Sequence, residues 1–247
     1  MPLGLPESIQ GFLFDMDGVL TRTATVHAAA WKQAFDELLE ERDGSGYVPF
    51  DSHTDYDRYV DGRARLDGTR EFLASRRIRL PDGSESDQPG QPTLHGVANR
   101  KNQVLLEKLR TDGVGVFEDA VRYVKAVAAA GYKRAVVSAS ANTAEVLAAA
   151  GIADLFDARV DGVVAATRQL KGKPAPDMFL AAAEMLGLEP AQAAVFEDAL
   201  AGVEAGRAGH FAAVVGVDRV GQADDLRRHG ADVVVSDVSS LLAGEPA

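Results

Sequence analysis

Short apolar runs alternate along most of the chain with longer stretches that are rich in alanine. The short runs are rich in valine and phenylalanine and predict buried strands, whereas the longer stretches place apolar residues at helical spacing. Strands that alternate with helices predict right-handed βαβ units, and hence an α/β fold with a doubly wound parallel sheet. The predicted strands are 10–14, 134–138, 157–160, 193–196, 212–215 and 232–235, and the predicted helices between them are 118–130, 143–150, 176–186, 199–208 and 222–229.

A long segment near the N-terminus interrupts this alternation with helical patterns only. Helices are predicted at 24–41, 55–60, 69–77 and 97–110, and nothing between them predicts a strand. We therefore expect a core domain formed by residues 1–22 and 111–247, with a smaller helical domain, residues 23–110, inserted after the first strand. Residues 81–92 are rich in proline, glycine, serine and acidic residues, which predicts an exposed loop that serves as a connector.

Composition and charge narrow the possible functions. The chain has 247 residues, 46% of them hydrophobic, so it can bury a substantial core. No apolar run reaches the ~20 residues that a membrane span requires, so we expect no membrane association. The chain has no cysteine and no signal-peptide pattern, which favours the cytoplasm. A net charge of −11 argues against nucleic acid as a partner, because phosphate backbones favour basic surfaces. We expect instead that the protein is a monomer and that its partner is a small molecule.

The most informative motif is Phe14-Asp15-Met16-Asp17-Gly18, which directly follows the first predicted strand. Residues two positions apart in a strand share a face, so Asp15 and Asp17 would repel one another without a cation or a shared proton. A turn or a helix cap is the simpler structural explanation, but a buried strand seldom ends in two carboxylates for that reason alone. The spacing therefore indicates a metal site and catalysis.

Three further polar groups lie where a doubly wound sheet binds its ligands. They are Ser138 to Asn142, Lys173, and the pair Glu197 and Asp198. One carboxylate can accept a phosphoryl group, a second can move the proton of the leaving oxygen, and a lysine can offset the charge. The Ser138 hydroxyl and the N–H groups after it can bind phosphate, and Mg²⁺ suits a site made of oxygen ligands. Together these groups indicate phosphoryl transfer.

Five segments, in this order, match the motifs of a known family: FLFDMDGVL, TATVHAAAW, VVSASAN, KGKPAPDMFLAAA and VFEDALAGVEAG. The chain resembles the haloacid dehalogenase superfamily and, within it, the β-phosphoglucomutase-like family. The resemblance implies a Rossmannoid catalytic core with a helical cap domain. It also implies that Asp15 is the nucleophile and Asp17 the general acid/base. Mg²⁺ would then be bound by Asp15, the Asp17 carbonyl and Asp198, with Glu197 beside them.

The resemblance also implies which residues bind the substrate. Ser138 and Lys173 would bind the transferring phosphoryl group. Arg70 would hold the second phosphate of a sugar bisphosphate, although Arg63 or Arg65 could serve instead. Ala141 stands where the family often has a lysine, which removes one charge from the expected site. Thr23 and His27 match hinge and cap residues of the family, in which the histidine helps to position the general acid on closure. The other implied positions are Lys101 of the cap, and Ala139, Ser140 and Asn142, which lie beside the sugar phosphate.

Three activities are compatible with these residues. A phosphomutase would move phosphate between C1 and C6 of β-glucose phosphate through a bisphosphate, and a phosphatase would transfer the phosphoryl group to water. A catalytically silent binding module is disfavoured because every core position carries a competent residue. Dehalogenation is disfavoured because the loss of halide needs no proton donor at Asp17. A mutase must close over its substrate and hold a second phosphate, which a helical domain with Arg70 and Lys101 can do, so we favour the mutase.

Overall fold

A computed structural model of the chain describes residues 2–243, and the side chains of residues 3–242. The chain divides into two units. One consists of Met1–Arg22 and Val114–Ala247, and the other of Thr23–Gly113. The predicted boundary at Arg110 lies inside a helix that continues to Asp112, so the helical unit is slightly longer than the sequence suggested.

The larger unit contains a six-stranded sheet in which every strand pair is parallel. Its strand order is β3-β2-β1-β4-β5-β6, so the doubly wound α/β fold predicted from the sequence is confirmed. Each predicted strand is present, with ends that differ by one or two residues. The strands are β1 (Gly11–Phe14), β2 (Lys133–Val137), β3 (Ala158–Val160), β4 (Ala193–Glu197), β5 (Ala213–Val217) and β6 (Val233–Val235).

Helices connect these strands, and all five predicted helices of this unit are present. A further helix, α6, was not predicted, because its run of valine and alanine does not distinguish a short helix from a strand. Asp161 starts α6 by accepting hydrogen bonds at Oδ1 from the N–H groups of Val163 (3.0 Å) and Val164 (2.9 Å). The helices are α4 (Glu118–Ala129), α5 (Thr143–Ala149), α6 (Gly162–Arg168), α7 (Asp177–Met185), α8 (Leu200–Ala208) and α9 (Ala223–His229).

The central strands are buried along their whole length, as expected for a parallel sheet covered on both faces. Phe14 of β1 stacks on Phe196 of β4 with ring centroids 4.6 Å apart, and Tyr123 of α4 packs against both rings. These strands and aromatic side chains hold the carboxyl edge of the sheet in place, where the acidic motifs begin.

The regular elements of the smaller unit, residues 23–113, are all helical, and the structure describes every one of these residues. It consists of α1 (Ala24–Asp43), α2 (Arg65–Ser75) and α3 (Leu94–Asp112), with a π-helical turn at Tyr56–Val60. Its core contains a cluster of aromatic rings in which Phe35 stacks on Trp31 and packs at a tilt against Phe72, with centroids 5.0 and 4.1 Å away. Among the helices of the described residues, none combines the length and the apolar character needed to cross a bilayer.

The loop 81–92 is exposed, as predicted, but it is more than a connector. Thr93 caps α3 by accepting a hydrogen bond from the N–H of Gly96 (2.9 Å), and its hydroxyl donates to Asp87 Oδ2 (2.5 Å). The amide of Asn99 donates to the carbonyls of Glu85 (3.1 Å) and Asp87 (2.9 Å). The loop is therefore attached to the first turns of α3.

Candidate active site

The acidic motifs of the larger unit follow neighbouring strands. β1 lies between β2 and β4, and connections leave β1 and β4 toward opposite edges of the sheet. Such a reversal of strand order opens a crevice at the carboxyl ends of the strands. Asp15 follows β1, Ser138 follows β2, and Glu197 is the last residue of β4. The three side chains thus start from adjacent positions on one edge of the sheet.

Lys173 joins two of the carboxylates in a buried cluster. Its Nζ lies 2.5 Å from Asp15 Oδ1 and also forms an ion pair with Glu197 Oε1. The side chains of Lys173 and Glu197 are completely buried, and that of Asp15 is 8% exposed. Burial of an isolated charge is costly, so the lysine stabilises both carboxylates in a place that water hardly reaches.

Burial controls how Asp15 ionises. Removal from water raises the pKa of its carboxyl well above the ordinary value of 3.8, Lys173 opposes the rise, and Glu197 and Asp17 add to it. Burial alone would lower the pKa of Lys173, but Asp15 and Glu197 outweigh that effect and raise it above its ordinary value. The ammonium is therefore charged at neutral pH, and a second cation would relieve the remaining negative charge.

Both carboxylate oxygens of Glu197 have partners. Oε1 pairs with Lys173, and Oε2 accepts a hydrogen bond from the backbone N–H of Ala199 (3.0 Å). Gly202 of α8 leaves the space that the carboxylate needs, because a Cβ at that position would overlap it. Glu197 is thus oriented from two sides, and it orients Lys173 in turn.

A tight turn after Asp15 carries Asp17. The carbonyl of Met16 accepts hydrogen bonds from the N–H groups of Leu20 and Thr21 (both 2.9 Å) and from the Thr21 hydroxyl (3.1 Å). Three donors on one carbonyl close the turn, so the position of Asp17 is set by local hydrogen bonds as well as by the sheet.

Three buried carboxylates have the geometry to hold a metal ion. Asp15, Glu197 and Asp198 each offer one oxygen, and these oxygens lie within 4.8 Å of one another. Gly18 allows this approach, because its φ is +85° and a Cβ there would overlap the Asp198 carboxylate. Several carboxylate oxygens with only one lysine to balance them are ligands that fit a hard divalent cation such as Mg²⁺.

The loop after β2 lies beside Asp17. The Ser138 hydroxyl is 3.4 Å from Asp17 Oδ2, a long contact, and it accepts a hydrogen bond from the N–H of Ser140 (3.2 Å). The Ser140 hydroxyl accepts one from the N–H of Asn142 (3.2 Å). The predicted group from Ser138 to Asn142 therefore forms one hydrogen-bonded loop, with buried Ser138 nearest to the acidic cluster.

The loop after β3 supports this segment, and the sequence analysis missed it. Gly162 donates its N–H to the carbonyl of Ser140 (3.0 Å), and a Cβ on Gly162 would lie 2.8 Å from the carbonyl oxygen of Ala139. Asp161 directly precedes Gly162, and its buried side chain caps α6. This cap holds the backbone in place at the start of the helix. The sequence signal that could have identified this loop is the pair Asp161-Gly162, which directly follows the predicted strand 157–160.

The helical unit brings together two of its predicted residues. Lys101 Nζ lies 3.1 Å from His27 Nδ1 and 4.9 Å from the centroid of the Trp31 ring. Lys101 is only 4% exposed, which is unusual for a lysine. Thr23, also buried, precedes α1, and its carbonyl accepts a hydrogen bond from the N–H of His27 (2.8 Å).

The arginines of the helical unit differ in their partners. Arg70 is exposed and forms ion pairs with Asp67 (3.2 Å) and Asp82 (3.8 Å). Arg65 is partly buried, and its removal from water lowers the pKa of its guanidinium. Among the described residues, no carboxylate opposes this effect. Of the two, Arg65 is the one whose charge a bound anion would complement.

The loop after β5 contributes two side chains that the sequence analysis did not select. Arg219 donates to the carbonyls of Gly18 (3.2 Å) and Val19 (3.4 Å), and Gln222 donates to the carbonyl of Asp198 (2.9 Å). Both follow a predicted strand of the doubly wound sheet, so their position at its carboxyl edge was the signal that could have identified them.

The fold and the acidic cluster together define a class of enzyme. A model of the haloacid dehalogenase-like hydrolase family matches residues 9–210, and the chain belongs to that family. The superfamily expected from the sequence motifs is thereby confirmed.

Relatives narrow the class further. A protein from Mycobacterium bovis named beta-phosphoglucomutase is 56% identical over 246 residues, which cover 97% of this chain and 94% of the relative. A beta-phosphoglucomutase from Bacillus subtilis is 35% identical over 241 residues, covering 94% of this chain and 92% of the relative. The crystal structure of a beta-phosphoglucomutase from Clostridium difficile has a TM-score of 0.75 at 26% identity, covering 94% of this chain and 93% of that one. The similarity to the β-phosphoglucomutase-like family is also confirmed.

Proposed function

We propose that the chain is a β-phosphoglucomutase, which converts β-glucose 1-phosphate to glucose 6-phosphate through an aspartyl phosphate on Asp15. The observation that carries this proposal is the buried contact of 2.5 Å between Asp15 and Lys173, beside two further carboxylates at the carboxyl edge of the sheet. The 56% identity to a protein of that name over 97% of the chain supports the choice of substrate.

Asp15 and Asp17 divide the chemistry between them. A carboxylate oxygen of Asp15 attacks phosphorus, and the bond from phosphorus to the sugar oxygen breaks. Asp17 gives its proton to that leaving oxygen, so the sugar departs as an alcohol. In the second half-reaction Asp17 removes the proton of the accepting hydroxyl, which attacks the aspartyl phosphate and restores the Asp15 carboxylate.

Lys173 and Ser138 stabilise charge during the transfer. The ammonium of Lys173 is held by Asp15 and Glu197, so it needs no rearrangement when negative charge develops on the phosphoryl oxygens. Ser138 can donate a hydrogen bond to one of these oxygens, because its hydroxyl lies beside Asp17. We propose that the loop from Ser138 to Asn142 binds the transferring phosphoryl group.

Mg²⁺ is the cofactor that we propose for this site. Asp15 and Asp198 would hold it with the carbonyl of Asp17, and Glu197 would stand beside it while its own oxygens bind Lys173 and the N–H of Ala199. When bound, the ion neutralises the charge on the phosphoryl group and on the carboxylates.

We propose that the helical unit is a cap that binds the part of the substrate that does not react. Arg65 is our choice for the second phosphate in preference to Arg70, which already pairs with two carboxylates. His27 of α1 and Lys101 of α3 form one partly buried pair, and Thr23 anchors the start of α1. These three residues would position the sugar and the general acid.

A sugar-phosphate phosphatase is the second candidate, favoured by the description of the matching family as a hydrolase. Both activities share the first half-reaction and differ only in whether a sugar hydroxyl or water accepts the phosphoryl group.

We also propose that the protein acts as a monomer in the cytoplasm. The absence of cysteine supports this location, and light scattering of the purified protein tests the monomer.

One assay separates the two activities. The protein is incubated with β-glucose 1-phosphate, Mg²⁺ and a catalytic amount of β-glucose 1,6-bisphosphate, and both glucose 6-phosphate and inorganic phosphate are followed. The mutase predicts formation of glucose 6-phosphate that requires the bisphosphate and exceeds phosphate release. Phosphate release at an equal or higher rate would show a phosphatase instead. The variant Asp15→Asn, prepared in parallel, shows how much of either signal comes from contaminants.

A further inference from the structure

One loop of the larger unit contacts both segments that carry the acidic residues. This loop, which we call the brace loop, consists of residues 218–222 and connects β5 to α9. Arg219 contacts the turn after β1, and Gln222 contacts the segment after β4. The two contacts end next to Asp17 and at Asp198, respectively, which are the residues assigned above to proton transfer and to the metal.

Arg219 is held firmly enough to act as a support. Its guanidinium forms an ion pair with Asp119 (3.1 Å) and donates to the carbonyl of Ser236 (2.8 Å), and its side chain is 14% exposed. The guanidinium carbon also lies 3.9 Å from the centroid of the Phe117 ring. With its other N–H groups it donates to the carbonyls of Gly18 and Val19.

The carbonyls of Gly18 and Val19 belong to the turn that orients the Asp17 side chain. Gly18 is the next residue after Asp17, and its own N–H donates to the carbonyl of Thr21 (2.9 Å) within the turn. The planar guanidinium has five N–H donors in a fixed geometry and reaches four acceptors here, the carbonyls of Gly18, Val19 and Ser236 and the Asp119 carboxylate, whereas an ammonium has only three donors. A lysine at the same position would keep the charge but would lose this multiple contact.

Gln222 acts on the second acidic segment. Its amide nitrogen donates to the carbonyl of Asp198 (2.9 Å), which fixes the backbone from which the Asp198 carboxylate extends. Asp218 holds the brace loop itself in shape, because its Oδ1 accepts hydrogen bonds from the N–H groups of Val220 (3.1 Å), Gly221 (2.7 Å) and Gln222 (2.9 Å).

We propose that Arg219 and Gln222 are positioning residues, with Arg219 setting the Asp17 carboxyl for proton transfer and Gln222 setting Asp198 for the divalent cation. The inference rests on the proposed function for the roles of Asp17 and Asp198. The two contacts themselves are independent of the substrate.

The dependence on leaving group tests Arg219. A sugar alkoxide needs the proton of Asp17 to depart, whereas p-nitrophenolate does not. In Arg219→Met, we expect turnover of the sugar phosphate to fall about 100-fold, whereas the first-turnover burst of p-nitrophenolate from p-nitrophenyl phosphate, which precedes the step in which Asp17 acts as a base, should change less than about threefold. Arg219→Lys should lie between Arg219→Met and the unmodified protein. Arg122→Met is the matched control, because the Arg122 guanidinium donates to Ser239 Oγ, a hydroxyl outside the acidic segments.

Equal losses with both substrates in Arg219→Met would overturn the role of Arg219, since a general loss of structure affects both reactions alike. The measurement therefore separates positioning of the proton donor from support of the fold.

The affinity for Mg²⁺ tests Gln222. In Gln222→Met, we expect the apparent dissociation constant for Mg²⁺, measured by calorimetry without substrate, to rise about tenfold, as for other residues that orient metal ligands. The ratio of rates with the two leaving groups should stay unchanged. Gln192→Met serves as control, because Gln192 precedes β4, at the opposite end of that strand from Asp198, and its Oε1 accepts a hydrogen bond from the N–H of Glu189 (3.0 Å). Unaltered Mg²⁺ affinity in Gln222→Met would overturn the role of Gln222.

Hydrogen exchange separates the brace loop from the proposed function. Amides of residues 16–21 should exchange faster in Arg219→Met, and amides of residues 198–202 should exchange faster in Gln222→Met, each without a change in the other segment. Unchanged exchange would refute the brace loop whatever the substrate is. Faster exchange in a protein that shows neither mutase nor phosphatase activity would refute the proposed function and leave the structural support established.

Discussion

Asp15 and Lys173 are 158 positions apart in the sequence, yet their charged atoms lie 2.5 Å from one another in the interior of the protein. The lysine shares its charge with Glu197, which follows it by 24 positions. A nucleophile in such a pair is oriented before substrate arrives, and its charge is balanced without water. The following predictions test this arrangement and the roles that depend on it.

The first prediction concerns the two carboxyl groups of the DxD motif. Asp15→Asn should abolish turnover, by about 10⁴-fold or more, because the amide cannot accept the phosphoryl group. Asp17→Asn should block turnover but retain the first release of p-nitrophenolate from p-nitrophenyl phosphate, which leaves Asp15 phosphorylated. Steady-state rates and mass spectrometry of the phosphorylated protein measure both effects. Asp154→Asn, at an exposed position, is the control, and near-normal rates in either active-site variant would contradict the assignment.

The second prediction distinguishes two arginines of the helical unit. Arg65→Met should raise the KM for the sugar phosphate roughly tenfold to a hundredfold, since a hydrogen bond from a charged donor contributes about 1.5–3 kcal/mol. Arg70→Met should change KM by less than about twofold, because its exposed ion pairs contribute little. A larger effect from Arg70→Met than from Arg65→Met would restore Arg70 as the phosphate ligand.

The third prediction concerns the stability of the buried cluster. Lys173→Met should lower the free energy of unfolding by about 3–5 kcal/mol, because it leaves two buried carboxylates without their cation. The double variant Lys173→Met/Asp15→Asn removes one of these charges and should recover part of the loss. Urea denaturation in the absence of Mg²⁺ gives both values. A double variant no more stable than the single one would show that burial of charge is not the cause.

The fourth prediction uses the close approach of Gly202 to Glu197. A Cβ at Gly202 would overlap the Glu197 carboxylate, which cannot move away because Lys173 and the N–H of Ala199 hold it. Gly202→Ala should therefore cost about 1–3 kcal/mol of stability, measured by denaturant unfolding, and should lower activity through Lys173. Gly46→Ala is the control, since nothing lies within 4 Å of its Cβ position, and equal behaviour of the two variants would contradict the prediction.

The fifth prediction concerns pH and the helical unit. Hydrogen bonds from Arg100 to both oxygens of Glu37 (2.7 and 2.8 Å) hold the pKa of Glu37 below its ordinary value of 4.5. A lowered carboxyl pKa stabilises the folded state above the ordinary value, and the stabilisation is lost as pH falls below it. Arg100→Met should therefore flatten the decline of Tm between about pH 6 and pH 3. An unchanged slope would show that this pair does not contribute.

Much of the fold could be predicted because hydrophobic patterning is a local property. Each predicted strand of the sheet is present, since runs such as 10–14 and 193–196 have no polar face and must be buried on both sides. The insertion of a helical unit followed from the same reasoning, because no segment of it has the pattern of a strand. The short helix α6 was not predicted, because a helix of seven residues is specified by its cap, Asp161, more than by periodicity.

The sequence alone determined the alternation of strands and helices. It also identified Asp15, Asp17, Lys173 and the pair Glu197 and Asp198 as candidate site residues. Both results were possible because motifs and hydrophobic periodicity are contained within short segments. Tertiary structure alone decided which groups meet: Lys173 with Glu197, Gly18 against Asp198, and Arg219 on the turn after β1. Such contacts join loops that are distant in the chain, and their geometry depends on how all the strands pack together. No local pattern of residue types contains that information.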